Sequence, residues 1–159
     1  MLWTECVKLN EPIIILEDDI CFTKDFSEKA INNIINSKFE YVRLKYTFDK
    51  KIKQINENFY ITYKSVSGAQ GYYLTPNAAK KFIKYAKLWF YPVDDYLDCF
   101  GLHGVKNIIY KPFLISDKYI SASTILHQEY KIPIRKKVSR EIIRGIISIR
   151  AFIFKLIKN

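Results

Sequence analysis

The chain has 159 residues, 49% of them hydrophobic and 26% charged, a balance that excludes a disordered polymer and suits one domain with its own core. The net charge of +10 suggests a nucleic-acid binder until it is divided: residues 1–130 hold 17 Lys and Arg against 15 Asp and Glu, and residues 131–159 hold 9 against 1. The basicity belongs to a tail. The body is nearly neutral and lacks a nucleic-acid motif, so no nucleic-acid partner is expected. Three cysteines, Cys6, Cys21 and Cys99, form no Cys-x-x-Cys pair and read as reduced thiols of a cytosolic protein. No signal-peptide run opens the sequence, and no stretch of 18 uncharged apolar residues occurs in it.

In chain order, Leu2 to Leu9 reads as the end of a helix, with Leu2, Trp3, Cys6, Val7 and Leu9 on its apolar side, stopped by Asn10-Glu11-Pro12. Pro12 to Leu16 is a continuous β-branched run, as expected of a strand buried on both faces. It ends in Glu17-Asp18-Asp19. Asp25-Phe26 opens a second helical stretch through Ala30, Ile31, Ile34 and Ile35, and strands are expected at 39–44 and 59–63. Gly68-Ala-Gln-Gly71 leads into Tyr72-Tyr73-Leu74, and Thr75-Pro76 has the form of a helix start, with Thr as N-cap and Pro in the first turn. Pro92-Val-Asp-Asp95 precedes a short apolar helical face over 96–100, and 105–110 is a further strand. Alternating strands and helices predict an α/β layered fold with a mainly parallel sheet.

Three carboxylates directly after a buried strand put negative charge at the C-terminal edge of a sheet, where open α/β sheets bind ligands. Neighbouring carboxylates raise one another's pKa, so Glu17, Asp18 and Asp19 are costly together unless a cation or proton is shared; hard oxygen donors suit Mg²⁺ or Mn²⁺. The plainer reading is an acidic loop that caps the following helix. Asp94 and Asp95, with Asp98 one turn later, form a second acidic site able to supply a general base, or merely first-turn acids of a helix. Two separated carboxylate sites would also serve a glycoside hydrolase. Gly68 and Gly71 permit close backbone approach to a ligand or a tight turn, without a Walker signature. His103 and His127 show no metal-ligand spacing.

Three blocks in one order carry a family resemblance: Leu9-Asn-Glu-Pro-Ile-Ile-Ile-Leu-Glu-Asp-Asp-Ile20, Gly68-Ala-Gln-Gly-Tyr-Tyr-Leu-Thr-Pro-Asn-Ala-Ala79 and Pro92-Val-Asp-Asp-Tyr-Leu97. Over residues 1–125 the chain resembles the family-25 glycosyltransferases, which include bacterial lipooligosaccharide galactosyltransferases and collagen galactosyltransferases. The resemblance implies a GT-A-like (Rossmann-like) fold and inverting, metal-dependent sugar transfer, often from UDP-galactose, to a lipid-linked lipooligosaccharide or lipopolysaccharide acceptor. It assigns Asp19 and Glu17 to Mn²⁺ (or Mg²⁺), and Glu17, Asp18, Gly68, Gly71 and Tyr72 to substrate. Asp94 and Asp95 become the catalytic acids, with Asp94 as general base. Against the family pattern, the chain is expected to lack an N-terminal nucleotide-binding portion, supplied by a partner chain or missing; the alternative is an inactive module that binds a membrane or a partner.

Residues 1–130 are thus expected to form a partial GT-A domain and 131–159 a basic tail. Within 139–159, Ile142, Ile146, Ile149, Ile153 and Leu156 recur at helical spacing, with Arg144, Ser148, Lys155 and Lys158 on another face. This amphipathic pattern suits an anionic membrane surface and a location on the inner face of the cytoplasmic membrane; otherwise it packs on the body.

Overall fold

The computed structural model describes residues 2–87, 91–117 and, within 141–153, residues 141–142, 145–146, 148–150 and 152–153. The boundary expected at 130/131 lies outside the described residues. Helix α1 (Leu2–Leu9) is followed by β1 (Ile13–Leu16) and β2 (Ile20–Phe22), then α2 (Glu28–Asn36) and β3 (Tyr41–Arg43). Next come β4 (Lys53–Gln54), β5 (Phe59–Thr62), β6 (Gly71–Leu74) and α3 (Pro76–Ala86). The body continues with α4 (Val93–Leu97), α5 (Phe100–His103), β7 (Asn107–Tyr110) and β8 (Ile115–Asp117).

A six-stranded sheet has the order β1-β6-β3-β7-β5-β4, and β2 pairs with β8 in a separate ribbon. The architecture is mixed α/β, but the expectation of a mainly parallel sheet is corrected: among the described residues β3–β7 is the one parallel pairing in the sheet, and its other pairings are antiparallel. The misreading has a physical cause. Apolar runs such as Ile13–Leu16 and Tyr41–Arg43 look parallel because both faces of the sheet are covered, and cover on both faces buries antiparallel strands equally.

On one face Ile15, Tyr41, Tyr72 and Leu74 pack against Trp3 and Cys6 of α1, Ala78, Ala79 and Phe82 of α3, and Tyr96 and Leu97 of α4. On the other, Val42, Tyr73, Ile108 and Tyr110 meet Ala30 and Ile34 of α2, with Leu114 and Ile115. Leu2 and Leu9 are exposed, so the buried stripe of α1 is narrower than its sequence suggests. Thr75 caps α3 as expected, its hydroxyl accepting from the Ala78 N–H at 3.4 Å with Pro76 in the first turn. Helix α2 starts later than expected: Ser27, not Asp25, is its N-cap, accepting from the Ala30 N–H at 3.2 Å.

Among the described residues, strand β1 is outermost in the sheet. Its end, Leu16, pairs with Gly71 at the start of β6, and the Leu44 N–H after β3 donates to the Gly71 carbonyl. These contacts define the edge at which β1 and β3 finish. The segment after β5 starts from the opposite edge, where Thr62 pairs with Asn107. Residues 63–70 therefore cross the sheet to reach β6.

Candidate active site

Glu17, Asp18 and Asp19 form the exposed turn between β1 and β2, fixed by the Glu17 N–H donating to the Gln70 carbonyl at 2.9 Å. They cap no helix, because the chain continues into β2. Pairing of Ile20 with Asp117 brings a further acid to this edge, and Asp117 is ion-paired with Lys45, just past β3. The carboxyl of Glu17 is pushed above the usual carboxylate range, first by partial burial and then by the charges of Asp19, Asp94, Asp117 and Asp18. The charge of Asp94 thus acts on Glu17 although Asp19 and Asp94 are 75 positions apart in the sequence.

Asp94 belongs to α4. Pro92 precedes the helix without a side-chain cap, and Asp94 and Asp95 occupy its first turn. The Ser67 hydroxyl donates to Asp94 Oδ2 at 2.9 Å. Ser67 and Gly68 are consecutive left-handed residues, with φ of 53° and 85°, which bend the crossing segment back toward β6.

A buried ion pair holds that bend. Arg43, 1% exposed in the middle of the sheet, donates Nη2 to Asp98 Oδ1 at 2.8 Å, Nε to Asn107 Oδ1 at 3.0 Å, and Nη1 to the carbonyls of Ser67 (2.9 Å) and Gly68. Asp98 accepts in addition from Asn107 Nδ2 at 2.6 Å, from the N–H groups of Val66 (3.0 Å) and Ser67 (2.8 Å), and from the Ser65 hydroxyl (3.0 Å). With five donors on two oxygens, Asp98 is a structural acid. One end of α4 carries Asp94, and the other clamps the segment that touches Asp94.

The remaining expected site residues sit as follows. A side chain at Gly68 would strike Gln70 Oε1 and Thr47 Oγ1, at 2.2 and 2.7 Å from an added Cβ. At Gly71 the obstacles are Ile115 Cδ1 at 2.5 Å and Leu16 Cδ2 at 2.8 Å, so core packing alone accounts for that glycine. Tyr72 is 4% exposed, its phenol accepting from Trp3 Nε1 at 2.9 Å and pushed above its ordinary pKa by burial; it is a core residue in place of a pocket wall. Asp95 is half-buried, and its carbonyl accepts from Cys99 Sγ at 3.3 Å. His103 is structural: the Val105 N–H donates to Nδ1 and Nε2 faces the Tyr96 carbonyl, which fixes a neutral ring with pKa lowered to about 4 by burial.

Sequence reasoning missed Arg43, Ser67, Lys45 and Asp117 at this edge. A signal existed for Arg43, a charge between Val42 and Leu44 inside an expected strand; the others follow short, irregular patterns that carry none. A cavity of about 420 Å³ lies at the opposite edge, lined by Lys38, Glu40, Lys81 and Lys106, and includes neither Glu17–Asp19 nor Asp94.

Among the described residues no three His, Cys, Asp or Glu side chains are gathered into a ready-made metal site. The donor chemistry still fits Mn²⁺ or Mg²⁺ arriving with a phosphate ligand, because Mg²⁺ in particular commonly takes one or two carboxylates and completes its shell with phosphate oxygens and water. Gln70 Oε1, next to Gly68 and Thr47, is a buried acceptor without a donor among the described residues. The sequence profile described as Glycosyltransferase family 25 (LPS biosynthesis protein) matches residues 1–97, more than half of the chain, including Glu17–Asp19, Gly68–Gly71 and Asp94. The chain belongs to glycosyltransferase family 25. A comparison with curated proteins returns no match. The family-25 match stops one residue before Asp98, so the buried clamp on Arg43 is completed from outside the matched span.

Proposed function

We propose that this family-25 chain transfers a sugar, galactose from UDP-galactose, with inversion, to a lipid-linked lipooligosaccharide or lipopolysaccharide acceptor. The observation that supports the reading most is that Glu17, at the end of β1, feels the charges of both Asp19 and Asp94, which raise its carboxyl together with partial burial. In this reading the sheet is the GT-A-like core, Asp19 and Glu17 hold Mn²⁺ or Mg²⁺, and the cation's chemistry is to neutralise charge on the departing diphosphate. Asp94, oriented through Oδ2 by Ser67, takes the proton of the acceptor hydroxyl as that oxygen bonds to the anomeric carbon. Asp18 and the backbone at Gly68 and Gly71 border the donor; Asp95 stands beside Asp94 in the same turn.

Calorimetric titration of the 159-residue chain with UDP and UDP-galactose, with and without Mn²⁺, tests this. Metal-dependent binding that Asp19→Asn abolishes is the expected result. A folded chain that binds neither species in either condition overturns the reading and leaves the inactive module.

A further inference from the structure

Residues 141–142, 145–146, 148–150 and 152–153 are helical, and every one of them is exposed. Among them Ile142 is 60% exposed, Ile146 52%, Ile149 62% and Ile153 47%. Their spacing of four, three and four residues puts them along one side of a helix. Phe152, 63% exposed, widens the stripe. Exposed apolar surface of this kind marks an interaction site.

Charge decides what covers it. Residues 131–159 carry 9 Lys and Arg and one acidic residue, so a basic protein surface or a second copy of the same segment is repelled. No described helix is long and apolar enough to cross a membrane. We infer that this helix lies in the surface of an anionic membrane, with the Ile142–Ile153 side at the acyl boundary and the basic side chains at lipid phosphates. The inference does not depend on catalysis.

Flotation of the full chain with vesicles tests it, comparing phosphatidylcholine alone with phosphatidylcholine containing phosphatidylglycerol. The chain is expected to float with the anionic vesicles only, and less at raised salt. Ile146→Glu/Ile149→Glu is expected to reduce flotation roughly tenfold or more by placing charge on the buried side. Arg150→Glu, which reverses one charge, is expected to lower it roughly fivefold or more. All three positions are exposed, so an unchanged melting temperature verifies the fold of the variants. Absence of flotation with anionic vesicles overturns the inference. So does flotation that survives the double substitution, or capture by arbitrary single-stranded DNA in place of vesicles.

Discussion

Replacing Asp98 by Asn keeps the size of the side chain and removes the charge that balances Arg43. The pair is buried, with side chains 1% and 3% exposed, so no water replaces the lost partner. Breaking such a pair costs about 3–5 kcal/mol, because the remaining ion stays uncompensated. The amide carbonyl still accepts from one group of donors, but its NH₂ end faces N–H groups or the guanidinium; orphaned donors cost about 1–3 kcal/mol each and overlap with the first figure. A loss of about 3–5 kcal/mol would consume a large part of the roughly 5–15 kcal/mol that holds a domain folded. Urea unfolding followed by circular dichroism measures it, with an unchanged denaturant slope showing that both end states are preserved. Arg43→Lys is not expected to substitute, because a point charge cannot span Asp98, Asn107 and two carbonyls. A loss below about 1 kcal/mol in Asp98→Asn would refute the clamp.

Three further outcomes follow from the same geometry. His103 has a folded pKa of about 4 against an ordinary 6.5, so the unfolded chain binds the extra proton between these values. Its contribution is therefore complete above pH 6.5 and is lost as pH falls toward 4, by about 3 kcal/mol; His103→Gln should flatten that part of the stability–pH curve. Glu17 has the opposite sign: its raised pKa favours the folded state at low pH, and that advantage is lost as pH rises through the ordinary carboxylate range. Glu17→Gln should therefore melt higher than the parent at neutral pH, with the difference vanishing in acid, while binding of Mn²⁺ with UDP weakens. Gly71→Ala forces a Cβ against Ile115 and Leu16 and should cost about 1–3 kcal/mol in urea unfolding, with partial recovery in Gly71→Ala/Ile115→Val, where the 2.5 Å obstacle is gone.

The parts of this protein legible in its sequence are those decided locally. Thr75-Pro76 announces α3 because the hydroxyl and the ring act within one turn, and Ile13–Leu16 announces a buried strand because burial is written in side-chain type. Strand direction was not legible. It depends on how residues 63–70 cross the sheet, and that path is set by Arg43 and Asp98, 55 positions apart. The carboxylates at 17–19 and 94 were visible as charge clusters, but the action of Asp94 on Glu17 is a product of the fold. Ser67 could not be singled out, since its importance lies in a left-handed backbone and a single hydroxyl contact that no spacing rule encodes.

The position of β1 gives the acidic turn a second consequence. An outermost strand reading Ile-Ile-Ile-Leu offers backbone groups and apolar side chains to any passing chain, the composition from which fibrils are seeded. Glu17, Asp18 and Asp19 follow it at once, and Glu11 precedes it across a proline. Two copies of β1 laid antiparallel would bring Glu11 of each against the acidic turn of the other. The charges proposed to hold a cation also act as gatekeepers against self-templating. Neutralising the turn to probe chemistry would therefore remove a safeguard of solubility, and the Asp19→Asn and Glu17→Gln proteins should be followed by light scattering alongside their binding.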